Sequence, residues 1–179
     1  MEALIVVDVQ NDFCPGGALA APEGDRVVPV INRLMNKFPL VLASKDMHPH
    51  ESVHFGKWPV HCVKGTFGAE FHPDLAAGKI QKVLHKGTSD KDDGYSAFEA
   101  TNEDLARYLK GKGVTDIYVC GLTTEYCVKN TALDGMKYGF NTFVVTDATS
   151  AVEPGTDNEK SALKDMKEAK IVFLTSDQI

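Results

Sequence analysis

Short apolar runs alternate along the chain with stretches whose apolar residues recur at helical spacing. Residues 3–7 (A-L-I-V-V) are continuously apolar and too few for a helix, the pattern of a parallel strand buried on both faces. Over 25–37, Val27, Val28, Ile31, Leu34 and Met35 share one helical stripe, with Pro29 tolerable only in the first turn. Strands are expected at 40–43 and 79–85, then a helix at 102–110 with Leu105, Ala106 and Leu109 turned inward. A fourth strand at 115–120 is broken by Gly121, and Thr123 and Thr124 offer N-caps to a helix over 125–137. A strand at 140–146, a helix at 157–169 and a strand at 171–174 complete the series, and 89–94 (S-D-K-D-D-G) reads as a charged surface excursion. Strands alternating with helices imply parallel βαβ units, hence a three-layer α/β/α sandwich around a six-stranded, mainly parallel sheet. The common strand order 3-2-1-4-5-6 is the expectation.

Composition narrows the function more than the fold. At 179 residues, 43% hydrophobic and 25% charged, one domain spanning 1–179 is expected. A net charge of −6, with no basic run interleaved with aromatics, argues against nucleic acid or an anionic membrane as partner. No apolar stretch approaches the roughly 18 residues of a transmembrane helix, and Met1-Glu2-Ala3 leads into a strand without a basic leader, so the chain reads as cytoplasmic. Cys14, Cys62, Cys120 and Cys127 form no CxxC and no disulfide framework, so reduced thiols are expected.

Polar residues at the tips of buried strands carry the candidate chemistry, because open α/β sheets bind ligands beyond the carboxyl ends of their strands. Asp8 ends the first strand and Lys86 the third, while Asp46 follows the second in K-D-M-H. In extended backbone Asp46 and His48 project to one side, as two ligands of one ion require, and His50, His54 and His61 follow within fifteen residues of Asp46. Cys127 falls in the first turn of the 125–137 helix, where free N–H groups and the macrodipole lower a thiol pKa from about 8.5. Each residue alone has a plainer reading: a turn cap, a solvated lysine, a small core cysteine. With strand one beside strand four, Asp8, Lys86, Asp46 and the 121–127 turn share one rim, and this convergence favours a nucleophilic Cys127 with Asp8 as base. Lys86 would then hold Asp8 ionised and favour the thiolate. The sole tryptophan, Trp58, either floors a pocket or anchors the core.

These residues resemble the nicotinamidase/pyrazinamidase branch of the isochorismatase-like cysteine hydrolases. The likeness runs through V-D-V-Q-N-D-F-C-P-G-G at 7–17, K-D-M-H at 45–48, W-P-V-H-C-V-K-G-T at 58–66, H-K-G at 85–87, Y-S-A-F at 95–98 and G-L-T-T-E-Y-C-V at 121–128. It implies hydrolysis of nicotinamide, and of pyrazinamide, to the acid and ammonia through a thioester. It further implies a triad of Asp8, Lys86 and Cys127, an oxyanion hole from the N–H groups of Thr123 and Cys127, and a cis peptide between Leu122 and Thr123. One divalent ion, zinc before iron or manganese, would be held by Asp46, His48 and His61, with His54 matching a fourth ligand that only some relatives have. Phe13, Trp58, Tyr95 and Leu122 would bind the substrate, and a homodimer is compatible with the resemblance. His50, His72 and His85 match no ligand position. Two rivals remain: a hydrolase of the same fold acting on carbamoyl or ureido groups, which has no use for the Asp46/His48/His61 trio, and a non-catalytic thiol or metal sensor, which leaves Asp8 and Lys86 without a role.

Overall fold

A computed structural model describes residues 1–179. Its centre is a six-stranded sheet, β1 (Glu2–Val7), β2 (Val41–Asp46), β3 (Lys82–Lys86), β4 (Asp116–Leu122), β5 (Asn141–Ser150) and β6 (Val172–Leu174), in the order β3-β2-β1-β4-β5-β6. Every pairing is parallel, so the expected order is borne out and the sheet is wholly rather than mainly parallel.

Side-chain alternation along β1 divides the core in two. Leu4 and Val6 face one side, where they meet helix α1 (Val27–Leu34) through Val27, Val28, Ile31 and Leu34. Ala3, Ile5 and Val7 face the other, packing on α2 (Leu105–Gly111), α3 (Lys129–Lys137) and α4 (Asp157–Glu168) through Leu105, Leu109, Ala132 and Met166. Three layers result, with one helix and long loops on the first face and three helices on the second.

Several boundaries differ from the expectation, among them those of β2, β5 and the turn after β4. β2 continues past Ala43 through Ser44, Lys45 and Asp46, all buried although polar, because the sheet pairs them with Leu84, His85 and Lys86. β5 runs to Ser150, regaining register with β4 after an irregularity between Val119 and Gly121. The helix expected from residue 125 opens instead as a π-type turn, Thr124–Val128, and Thr123 at its N-cap position makes no side-chain cap bond.

Gly121 shows how tightly the central strands approach. Its φ is +108°, and a Cβ there would lie 2.1 Å from the Val7 carbonyl oxygen and 2.6 Å from the Val7 nitrogen. Both are backbone atoms of a central strand and cannot swing aside. Gly121→Ala is therefore expected to cost about 2–4 kcal/mol and to misplace the turn that follows. Thermal unfolding checks it, and a variant that melts with the wild type would show that the β1–β4 approach is looser than this geometry.

Candidate active site

The sheet delivers three charged side chains to one point. Asp8 follows β1 with φ +46°, and its N–H donates to the Ser44 carbonyl at 3.2 Å. Ser44 returns its hydroxyl to Asp8 Oδ1 at 2.7 Å. Lys86, the last residue of β3, is fully buried, and its Nζ stands 2.7 Å from Asp8 Oδ2, 2.6 Å from Asp46 Oδ1, 2.7 Å from the Gly94 carbonyl and 3.4 Å from Cys127 Sγ. An ammonium has three donors, and here they face two carboxylates and a carbonyl with the sulfur beside them. The excursion at 89–94 thus ends inside the protein: Gly94 is buried and its carbonyl fixes Lys86. At φ +83° its Cβ would strike the Gly87 nitrogen at 2.3 Å, so only glycine fits.

Asp46 joins this cluster to a second one. Its Oδ2 lies 3.4 Å from His48 Nε2 and 3.9 Å from His61 Nε2, and the three donor atoms lie within 4.8 Å of one another. His48 Nδ1 meets the Gly87 carbonyl at 3.0 Å and His61 Nδ1 the Pro59 carbonyl at 2.7 Å. Carbonyls only accept, so each Nδ1 carries the proton and each Nε2 turns a lone pair toward Asp46. Three acceptors converge, and buried His48 Nε2 has no hydrogen-bond partner. That arrangement fits a divalent cation. The other acidic grouping, Asp8, Asp46 and Cys127, already encloses the Lys86 ammonium. Gln10 aligns the shared carboxylate: its Oε1 accepts the Asp46 N–H at 2.8 Å, and its Nε2 donates to the Asp46 and Ala69 carbonyls, both at 2.8 Å.

Electrostatics here are set by burial first. Burial raises the Cys127 thiol well above its ordinary pKa, outweighing the lowering by Lys86, so the expectation of a lowered thiol pKa at a helix start is corrected: the resting group is a thiol. Burial likewise raises the Asp8 carboxyl, against the pull of Lys86, whereas the sequence reading had Lys86 depressing it. Burial would raise Asp46 too, but Lys86 and His48 together hold its carboxyl well below the usual range. Lys86, penalised by burial, is nonetheless held charged by Asp46, Asp8 and Cys127. His61 and His54 are shifted down, mainly by burial, toward the neutral imidazole that a metal ligand requires.

A cavity opens beside these clusters, lined among others by Asp46, His61 and Cys127 and walled by Phe13, Trp58, Tyr95 and Tyr126. Phe13 lies 5.6 Å from the His61 ring, and Trp58 meets Tyr126 edge-on at 4.8 Å. Trp58 is therefore a cavity wall rather than a core anchor. His54 also lines the cavity, its ring 4.6 Å from that of His48 and 5.1 Å from that of Tyr95, but it stands outside the three-donor group. His50 is exposed, and His72 and His85 are half-buried. Leu122 needs correction: its side chain is fully buried in the core and does not line the cavity. Its peptide to Thr123 is cis, as expected. The Thr123 N–H donates no hydrogen bond, and that of Cys127 donates none beyond its own turn. Sequence reasoning passed over Ser44, Gln10, Tyr126, Leu19 and Val152. The run of polar residues after Ala43 was a usable signal for Ser44, and Gln10 and Tyr126 lie inside the resemblance motifs at 7–17 and 121–128, whereas Leu19 and Val152 had no signal.

A model of the isochorismatase domain matches residues 2–178. A nicotinamidase of Acinetobacter baylyi is 41% identical, covering 84% of this chain and 82% of its own. A nicotinamidase/pyrazinamidase of Mycobacterium tuberculosis is 38% identical over 98% of this chain and 100% of its own. Among solved structures, a pyrazinamidase of Pyrococcus horikoshii in complex with zinc superposes with a TM-score of 0.86 at 42% identity, covering 97% of this chain and 98% of that one. The chain belongs to the isochorismatase family, in which its likeness is to nicotinamidases and pyrazinamidases.

Proposed function

We propose that the protein is a nicotinamidase, a cysteine amidohydrolase that cleaves nicotinamide, and pyrazinamide, to the carboxylate and ammonia. The observation that carries this reading is that the Cys127 thiol and the Asp46 and His61 donors line one aromatic-walled cavity. Aromatic walls that include Phe13 and Trp58, with the Cys127 thiol in the same lining, suit a flat heteroaromatic amide. The substrates named for the relatives support the same class.

Asp8, with a carboxylate oxygen within 4.8 Å of the sulfur, takes the thiol's proton, and the upward shift imposed by burial makes this carboxylate the better acceptor. The sulfur then adds to the carbonyl carbon, and the N–H groups of Thr123 and Cys127 meet the negative oxygen. Collapse breaks the C–N bond, and Asp8 returns the proton to the leaving nitrogen, releasing ammonia and a Cys127 thioester. Water, deprotonated by Asp8, hydrolyses that thioester to the acid and restores the thiol. Lys86 stays charged throughout, holding the acceptor and the sulfur in register. Asp46, His48 and His61 would hold a divalent ion, for which zinc suits the donors and iron or manganese fit them, and which when bound supplies a Lewis-acid contact for an electron-pair donor of the substrate.

Incubation with nicotinamide is expected to release ammonia, and a chelator to suppress it. His48→Ala and His61→Ala should lose the ion by elemental analysis and at least about 100-fold of the activity, while His50→Ala matches the wild type. No ammonia from metal-loaded protein would sink the substrate assignment. Full activity without metal would sink the ion's part in it.

A further inference from the structure

We propose that Glu125 is a positioning residue that clamps the Val152 wall of the cavity to the turn carrying Cys127, and so sets which rings the cavity accepts. The inference rests on the nicotinamidase reading for its substrates, but not for its geometry. Glu125 lies two residues before the nucleophile and is 1% exposed, a place where an acid costs stability unless it is bonded. No step of the hydrolysis uses it. Its Oε1 accepts the Glu153 N–H at 3.0 Å, next to Val152 in the chain, and its buried Oε2 has no hydrogen-bond partner. The neighbouring residue makes a second crossing, since Tyr126 Oη accepts the Asn158 amide at 2.7 Å.

Other polar contacts of the segment between β5 and α4 are local. Gly155 N–H donates to Glu159, and the Thr156 hydroxyl to the Glu153 carbonyl. Glu125 is thus the polar tie that fixes this segment's distance from the nucleophile. What the tie delivers is Val152, which lines the cavity together with Thr123, Tyr126 and Cys127. If Glu125 lets go, the wall moves, whereas Asp8, Lys86 and Cys127 keep their contacts. The consequence is a change in ring selectivity and KM rather than in the chemical step.

The test compares kcat and KM for nicotinamide and for ring-methylated nicotinamides in the holoenzyme. Glu125→Ala should raise KM for nicotinamide about tenfold, with kcat held within about threefold, and reduce the preference for the unmethylated ring about fivefold or more. Glu125→Gln keeps an acceptor oxygen and should restore most of both. Val152→Ala should relax selectivity to a similar degree, and the double variant should add little to either, since both act on one wall. Hydrogen exchange at Glu153 reads the clamp without substrate: its amide should be protected in the wild type and in Glu125→Gln, and exchange at least about tenfold faster in Glu125→Ala. A wild type inert toward nicotinamide with those exchange differences intact would overturn the substrate reading and leave the clamp standing. Unchanged selectivity in Glu125→Ala, or unchanged exchange, would overturn the clamp. Should Glu125→Ala not fold, Val152→Ala with wild-type selectivity overturns it alone.

Discussion

Cys127→Ala is expected to lower nicotinamide hydrolysis by at least about 10⁴-fold while leaving the fold and nicotinamide binding in place. Cys127 Sγ is the cavity's one sulfur, with Lys86 Nζ at 3.4 Å and an Asp8 carboxylate oxygen within 4.8 Å. Removing it deletes the bond-forming atom but none of the cavity's aromatic walls. It also removes a buried polar group of small volume, so the melting temperature should change little. The other cysteines cannot substitute. Cys14, Cys62 and Cys120 are buried away from the cavity lining, and burial raises the Cys14 thiol to about 11 and the other two as well. Cys14→Ala and Cys62→Ala should accordingly retain activity. Steady-state ammonia release and calorimetric binding make the comparison, and residual turnover of a few per cent in Cys127→Ala would remove the thiol from the mechanism.

Strand order was legible because burial on both faces writes itself as uninterrupted apolar runs, as at 3–7, and alternation with helical stripes admits few topologies. The same logic placed Asp8, Lys86 and Cys127 on one rim. It stopped short wherever a strand is buried but polar. Ser44 to Asp46 belong to β2 because Lys86 neutralises Asp46 and Ser44 bonds Asp8, and neither partner is near in sequence. Gln10 and Asp46 are 36 residues apart, and Glu125 and Glu153 are 28 apart, so no local pattern could pair them. The thiol shift had its sign reversed for a related reason. Helix position and neighbouring charge can be read from spacing, but the depth of burial that outweighs them cannot. Leu122 went wrong similarly, since a residue next to a functional turn can still aim its side chain into the core.

Lys86→Met should be the most damaging change to stability in the site, because it removes the cation on which Asp8 and Asp46 both depend. With Nζ 2.7 and 2.6 Å from the two carboxylates and no solvent exposure, its loss leaves two buried acids facing each other, at a cost of about 3–5 kcal/mol near neutral pH. The cost should depend on pH with a definite sign. In the wild type, Asp46 is held below its unfolded pKa of about 3.9, so its stabilisation is present above that value and is lost as pH falls through the folded one. Lys86 has a raised pKa, so its own contribution is complete below about 10.4 and disappears only at higher pH. In the variant, burial and mutual repulsion raise both acids, and a raised carboxyl loses stability as pH climbs through its folded pKa. The gap between the two proteins, measured in chelator so that no metal enters, should therefore be smallest at acid pH well below about 3.9, where the wild type loses its Asp46 contribution, and widen up to about pH 7. Alkylation of Cys127 by iodoacetamide should slow in the variant, since Lys86 is the one charge lowering the thiol, and hydrolysis should fall further than alkylation does. Lys86→Arg should not rescue, as a planar fork cannot fit between two carboxylates, a carbonyl and a sulfur placed around a compact ammonium. Parallel unfolding curves across that pH range, with unchanged alkylation, would mean that the two acids are neutralised by something other than Lys86.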